Sequence, residues 1–81
     1  MFTVYILYSR QFDKIYVGYT SNLESRLNAH NHPKNTGWTK RFQPWEVIYT
    51  EIYDEKEKAA EREKQLKSSR GRAFIRSIIK N

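Results

Sequence analysis

Alternating apolar positions predict two β-strands at the start of the chain. Over residues 2–9 every second side chain shares a face, and both faces are largely apolar, which is typical of a strand covered on both sides. β-Branched and aromatic residues over 14–20 predict a second strand. Only residues 10–13 separate the two runs, and so short a connection predicts an antiparallel hairpin.

The second predicted strand contains a glycine, Gly18, where no side chain covers the face of the strand. Tyr16 and Gly18 share a face, opposite Ile15, Val17 and Tyr19, which we expect to be packing residues. Because glycine lacks a side chain, we expect Gly18 to leave room for a ligand's backbone to approach beside Tyr16.

A capping box predicts that a helix follows directly. Ser21 precedes Glu24 by three residues, the spacing at which a serine N-cap and a glutamate satisfy each other's backbone amides. The predicted helix covers residues 22–31. Arg26 and His30 are four residues apart and should project together from the flank of its buried stripe.

The long polar connection over residues 32–44 is a candidate binding loop, since loops of this length in small domains are often functional. Cations beside aromatic rings suit a phosphate backbone next to an unstacked base. The aromatic residues also suit a purely structural role as anchors of the loop, and both interpretations stay open. The candidate nucleic-acid contacts in this loop are Lys34, Trp38, Lys40 and Arg41.

Alternation resumes at residues 45–53 and predicts a third strand. Strict alternation would place five of its residues on one face: Trp45, Val47, Tyr49, Glu51 and Tyr53. Asp54 as N-cap and Glu57 at the third helical position predict that a second helix begins immediately after this strand.

One acidic residue of this second helix has an unusual position. At about 100° per residue, Glu63 lies inside the apolar arc that Ala59 and Leu66 define. An inward carboxylate needs a partner, a metal ion or a raised pKa. Lys67, one turn later, is a natural partner, so Glu63 is either half of an ordinary helix ion pair or a functional acid.

A third helix is predicted over residues 70–80, capped by Ser68 and Ser69, with an apolar stripe and a basic side. The basic side is either a solvated face or a track for a nucleic-acid backbone, and the pattern alone favours the solvated face. Its members are Arg70, Arg72, Arg76 and Lys80.

Composition narrows the classes of function. The 81 residues predict a single domain over residues 1–81, and the absence of cysteine excludes disulfides, thiolate chemistry and cysteine-based zinc sites. The formal charge of +6 favours an anionic partner, with nucleic acid the leading candidate. No apolar run approaches the ~20 residues of a membrane span, so we expect a cytoplasmic protein that does not contact a membrane.

In their order and spacing, these motifs resemble the GIY-YIG nuclease superfamily, and more closely its small stand-alone bacterial members. The two half-motifs appear as residues 4–7 and 16–18, with Thr3 in place of the first glycine. The stretch from Thr39 into the third strand resembles the family as well. Three further correspondences fall on Arg26 for the helix arginine, His30 for a frequent histidine and Glu63 for the metal-ligand glutamate.

The resemblance implies an α+β fold, with a three-stranded antiparallel sheet flanked by helices in the order β-β-α-β-α-α. The patterning predicts the same order independently. The resemblance also implies cleavage of DNA phosphodiester bonds with Mg²⁺ or Mn²⁺. We expect branched or damaged DNA as substrate, because so small a domain has little surface for reading bases. A homodimer or a partner protein is expected to assist.

The resemblance also assigns roles to residues. Glu63 would hold the metal ion, Arg26 would grip the scissile phosphate, and Tyr5 or Tyr16 would activate the attacking water. A tyrosine pKa is ordinarily about 10, so this role requires a lower one. His30 and Lys40 are weaker candidates for proton transfer or phosphate contact, and Lys67 is a further nucleic-acid contact. The alternatives are a DNA-binding module that does not cut and an interaction domain whose charge is incidental.

Overall fold

Three strands and three helices follow one another in the predicted order within residues 1–79, the part of the chain that the computed structural model describes. Lys80, predicted to end the basic helix, and Asn81 lie outside the described residues. None of the helices within residues 1–79 has the length and apolar character needed to cross a membrane. The elements are β1 (Phe2–Ser9), β2 (Lys14–Thr20), α1 (Leu23–Asn31), β3 (Glu46–Tyr53), α2 (Lys56–Leu66) and α3 (Ser69–Ile79), with a short 3-10 helix at Trp38–Phe42.

The sheet is antiparallel, with β1 in the centre and the strand order β2-β1-β3. The pairing of β1 with β3 shifts by one residue: Ile6 is opposite Tyr49, whereas Leu7 is opposite Val47. The extra residue, Ile48, is a β-bulge that reverses the alternation. The predicted common face of β3 is therefore wrong, because Val47 packs on one side of the sheet and Tyr49 on the other.

Both faces of β1 are buried, as its pattern predicts. The side covered by α2 and α3 is an aliphatic core, made of Val4, Ile6, Val17, Ala59, Leu66 and Ile75. The side covered by α1 and the 3-10 helix is an aromatic cluster, whose buried members are Tyr5, Leu7 and Trp45. Central β1 thus supplies alternate residues to two different environments.

Helix α1 begins one residue later than predicted. Its N-cap is Asn22, whose side-chain oxygen accepts a hydrogen bond from the Ser25 amide at 3.1 Å. The predicted capping box with Ser21 as N-cap is therefore wrong. Asparagine is as good an N-cap as serine, and the cap at Asn22 moves Glu24 to the second helical position, still within the first turn.

The starts of the other two helices differ from each other. The N-cap of α2 is Glu55, without a side-chain capping bond, so the prediction of Asp54 as N-cap is wrong and Glu57 is the second helical residue. A bend at Asp54 carries the chain off β3 before the helix begins. Helix α3 is capped as predicted, since the Gly71 amide donates to Ser68 Oγ at 3.3 Å. A Cβ at Gly71 would lie 2.3 Å from the Leu66 carbonyl oxygen, so only glycine allows this close approach of α3 to the end of α2.

An ion pair ties the end of α3 to the β1–β2 hairpin. Asp13, in the turn, has a φ of 53°, in the left-handed region that aspartate and asparagine tolerate better than most residues. Its Oδ1 accepts hydrogen bonds from Arg76 Nη1 at 2.6 Å and from the Tyr8 hydroxyl at 2.8 Å. These two bonds, that of Arg76 first, hold the pKa of Asp13 below its usual range.

Candidate active site

A cleft of about 280 Å³ opens on the side of the sheet that carries the aromatic cluster. Tyr16 of β2 forms one wall, Arg26 and His30 of α1 form another, and Trp38 and Thr39 of the 3-10 helix close it. Three residues that the sequence predicts for catalysis therefore line one cavity: the strand tyrosine, the helix arginine and the helix histidine.

Tyr5 lies directly behind this cleft and is almost completely buried, with 1% of its surface exposed. It is opposite Gly18 in the β1–β2 register, and a Cβ at Gly18 would lie only 2.6 Å from the Tyr5 hydroxyl oxygen. The missing side chain makes room for the Tyr5 ring. The prediction that Gly18 leaves space for a ligand is therefore wrong, because a tyrosine of the same sheet occupies that space.

The two strand tyrosines differ in their access to solvent. Burial raises the pKa of Tyr5 to about 12; neighbouring Tyr16 and the Glu63 carboxylate act in the same direction and Arg26 opposes them. Tyr5 is thus a neutral phenol at neutral pH. Tyr16, whose ring centroid is 6.2 Å from that of Tyr5, is partly exposed and faces the cleft.

His30 connects the tyrosines to the loop. Its Nε2 is 3.5 Å from the Tyr5 hydroxyl, the long limit of a hydrogen bond, and its ring centroid is 4.6 Å from that of Tyr16. Burial lowers the pKa of His30, and Arg26 lowers it further, so the imidazole is neutral at pH 7. A neutral imidazole carries one donor and one acceptor nitrogen, which is what proton transfer requires.

Thr39 and Asn35 hold the other side of the imidazole. Thr39 Oγ1 lies 3.0 Å from His30 Nδ1 and accepts a hydrogen bond from Asn35 Nδ2 at 2.7 Å. The same Asn35 nitrogen also donates to the His30 carbonyl oxygen at 3.1 Å. Neither residue belonged to the predicted site, because an asparagine and a threonine in a polar loop have no distinguishing pattern.

Two further amides join the loop to the end of α1. Asn31 donates to the Trp45 carbonyl at 3.0 Å and accepts from the Trp45 amide at 2.7 Å. Gln43 donates to the carbonyls of His30 and His32, both at 2.8 Å. The sequence analysis did not identify this anchoring; the signal that could have indicated it is the density of Asn and Gln around the helix end.

Glu63 lies on α2, which covers the aliphatic face, and it does not line the cleft. Its side chain is 23% exposed and its Oε2 pairs with Lys67 Nζ at 3.4 Å, the partner that the spacing predicts. Its charge nevertheless contributes to the raised pKa of Tyr5, so the carboxylate is within electrostatic reach of the aromatic cluster.

The donor set for a metal ion is small. Within residues 1–79 no group of three or more His, Cys, Asp or Glu side chains could hold an ion. A single partly exposed carboxylate, Glu63, still fits Mg²⁺, because that ion keeps several waters and takes phosphate oxygens as further ligands.

The predicted nucleic-acid contacts separate into two sets. Trp38 is 51% exposed and lines the cleft, while Lys67 lines a neighbouring groove. Lys34, Lys40 and Arg41 are exposed on the loop without lining the cleft. The ring of Trp38 also packs on Phe42 and Trp45, so its role as an anchor of the loop is confirmed, and its role as a nucleic-acid contact stays a prediction.

Comparison with known proteins identifies a family and a fold that this chain shares. A family model described as the GIY-YIG catalytic domain matches residues 1–75. A UPF0213 protein of Staphylococcus haemolyticus is 35% identical over 65 residues, which cover 80% of this chain and 78% of the relative. One of Oceanobacillus iheyensis is 39% identical over 64 residues, covering 79% and 73%. The solution NMR structure of a UPF0213 protein from Bacillus halodurans superposes with a TM-score of 0.56 and 28% identity, covering 96% of this chain and 85% of the other.

Proposed function

The chain belongs to the GIY-YIG family and, within it, to the UPF0213 proteins, and from this premise we propose that it is a metal-dependent DNA endonuclease. GIY-YIG nucleases act on DNA in general and are generally dependent on a divalent metal ion. The observation that supports the proposal most is that Tyr16 of β2 lines one cleft together with Arg26 and His30 of α1, with Tyr5 of β1 directly behind them.

The chemistry of phosphodiester hydrolysis matches these side chains. The reaction needs an activated water, donors for the charge on the pentacovalent phosphorus and a proton for the leaving oxygen. Arg26 is exposed at the cleft, and its planar guanidinium suits two oxygens of the scissile phosphate. We assign Arg26 to the phosphate.

Tyr16 is the tyrosine that we assign to the attacking water, a choice that the sequence alone leaves open. It faces the cleft, whereas Tyr5 is buried and keeps its proton with a pKa of about 12. Tyr5 then acts as a positioning residue, holding the His30 ring from behind. Neutral His30 holds or passes a proton within the cleft.

Glu63 would hold the metal ion, Mg²⁺ or Mn²⁺. A bound ion supplies positive charge for the phosphate and lowers the pKa of a coordinated water. Glu63 would hold the ion in place of its pairing with Lys67, and the Lys67 ammonium would then be available to a DNA phosphate. The exposed loop cations Lys34, Lys40 and Arg41 serve as further phosphate contacts, and exposed Trp38 serves as a stacking surface for a base.

The proposed substrate is branched or damaged DNA. A domain of this size offers little surface for reading base edges, so recognition by the shape of the DNA is favoured over recognition by sequence. A second copy of the chain or a partner protein would supply the remaining contact surface.

The test is a cleavage assay on branched, nicked and flapped DNA with Mg²⁺ or Mn²⁺. We expect Glu63→Gln to lower the single-turnover rate by ~10³-fold, since it removes the proposed metal ligand at constant shape. Glu57→Gln is the matched control, with the same change of charge at an exposed site on the same helix. Equal cleavage by Glu63→Gln and the parent would overturn the mechanism. Salt-dependent binding without cleavage by any variant would instead identify a DNA-binding module.

A further inference from the structure

A groove of about 530 Å³ runs along the open edge of β2, beside the cleft. Strand β2 is an outer strand of the sheet, and the opposite wall of the groove comes from α2 and α3. We call this cavity the β2 groove. Its cationic lining residues come from all three elements and are Lys14, Lys67, Arg72 and Arg76.

The β2 groove is continuous with the candidate active site. Tyr16 and Trp38 line both cavities, so the groove begins where the cleft ends. The exposed indole of Trp38 stands at their junction. A nucleic-acid backbone bound in the cleft could therefore continue directly into this groove.

The charge of the groove is strongly one-sided. Four cations face a single lining carboxylate, Asp13, within the described part of the chain. Asp13 is already paired with Arg76, and Lys67 is paired with Glu63. Arg72 has no ion-pair partner among residues 1–79, and Lys14 Nζ rests over the Phe42 ring at 5.4 Å from its centroid.

The α3 arginines Arg72 and Arg76 are exposed, as the pattern favours, and they also line the groove. The basic side of this helix looks like a solvated face in the sequence. An ion pair joins Arg76 to Asp13 in the hairpin turn, and Arg72 and Arg76 line the same groove as Lys14. Buried Leu66 and Ile75 form its floor, which makes the groove a fixed feature of the core packing.

We propose that the β2 groove binds the phosphate backbone of the DNA strand that continues beyond the cleavage site. The inference rests on the proposed function for the nature of the ligand and extends it by naming the path of the substrate. An extended peptide paired with the open edge of β2 is the rival occupant. Backbone pairing has no need of four converging cations, whereas phosphates do.

The first experiment removes positive charge. Binding of fluorescein-labelled flapped DNA is followed by anisotropy in EDTA over a range of KCl concentrations. The groove variant is Lys14→Gln with Arg72→Gln, which leaves both ion pairs of the groove intact. The control variant is Lys58→Gln with Lys64→Gln, an equal loss of charge on the exposed side of α2. We expect the slope of log K against log salt to become less negative by about 1.4 to 1.8 for the groove variant only.

The second experiment removes a negative charge, and its expected result is a gain of affinity, whereas loss of folding would lower the affinity. Asp13→Asn removes the lining carboxylate, and asparagine tolerates the positive φ at this position. Because Arg76 is then released towards a phosphate, we expect tighter binding and a slope steeper by up to about 0.9. Glu61→Gln makes the same charge change at an exposed site outside the groove and should leave the slope unchanged.

The outcomes separate this inference from the proposed function. Equal slopes for the groove and control variants, or no binding by the parent at low salt, would overturn the inference. If the parent cleaves in a Glu63-dependent way and the groove variants behave like their controls, the nuclease function stands and the groove proposal fails. If neither the parent nor any variant cleaves DNA, and only the groove variants change the salt dependence of binding, the groove proposal stands and the nuclease function fails.

Discussion

Two groups of side chains in this protein have the same composition: two tyrosines, one carboxylate and one arginine. Beside β3, Glu51 accepts hydrogen bonds from Arg62 Nε at 2.9 Å and from the Tyr53 hydroxyl at 2.6 Å, and Tyr49 donates to it as well. We call this the β3 network. Every polar member is paired with another member, and the bonds from Arg62 above all hold the pKa of Glu51 at about 2.

The second group has the same residue types but no ion pair between its members within residues 1–79. Tyr16 and Arg26 face the cleft on the opposite side of the sheet and Tyr5 is buried behind it, whereas Glu63 lies on α2, as Arg62 does, and pairs with a lysine of its own helix. Within residues 1–79, Arg26 has no carboxylate partner. The two groups have the same residue types, so residue type does not distinguish a candidate site from a structural network. What distinguishes them is that polar side chains at the cleft keep donors and acceptors that no other member of the group uses.

The largest expected contrast is between the tyrosines of the two groups. Tyr16→Phe should lower the single-turnover cleavage rate by roughly 10²- to 10³-fold, because it removes the group assigned to the attacking water. Tyr49→Phe removes a hydroxyl from the β3 network and should leave the rate unchanged. Rates on flapped DNA under single-turnover conditions check both. A loss of similar size for Tyr49→Phe would show that the rate reports folding rather than chemistry.

For the arginines of the two groups we expect a contrast in the free energy of unfolding, with the larger loss in the β3 network. Arg62→Ala leaves Glu51, 19% exposed, without its ion pair and should lower the free energy of unfolding by about 2 to 3 kcal/mol. Arg26→Ala removes an exposed side chain and should cost less than about 0.5 kcal/mol. Urea unfolding measures both. Equal costs would mean that Arg26 also has a structural partner.

The β3 network also predicts how stability depends on pH. The folded-state pKa of Glu51 is about 2, below the ordinary value of 4.5, so the folded state binds fewer protons in this window. Its contribution is therefore fully present above pH 4.5 and is lost as the pH falls towards 2. We expect about 2 kcal/mol of unfolding free energy to disappear over that range in the parent and much less in Glu51→Gln. If unfolding free energy fell equally with pH in the parent and in Glu51→Gln, the assignment of this pH dependence to Glu51 would be wrong.

The prediction with the smallest effect on the cleavage rate concerns the hydrogen bond between Thr39 and the His30 imidazole. Thr39→Val keeps the shape of the side chain but removes the oxygen beside His30 Nδ1, and we expect a loss of roughly tenfold in cleavage rate. Thr50→Val, exposed on β3, is the control. NMR titration of His30 provides a readout that loss of stability alone does not move. An unchanged His30 pKa and tautomer would exclude a positioning role for Thr39.

Features that depend only on the spacing of residues within one strand or helix were predictable from the sequence alone. Alternation over residues 2–9 predicted a strand buried on both faces, because side chains of a strand alternate whatever its neighbours are. The four-residue spacing of Arg26 and His30 predicted one helix face, and both residues line the cleft. The spacing of Glu63 and Lys67 predicted their ion pair in the same way.

Only the tertiary structure decided features that depend on which elements pack together. The bulge at Ile48 follows from the pairing of β3 with β1, and Gly18 serves Tyr5 because the register places the two opposite each other. Arg72 lines a groove with β2 because α3 packs on α2, which itself packs on β2, and no pattern within α3 reveals this. The physical reason is common to all three: a local pattern specifies the direction of a side chain, whereas its neighbours depend on residues distant in sequence.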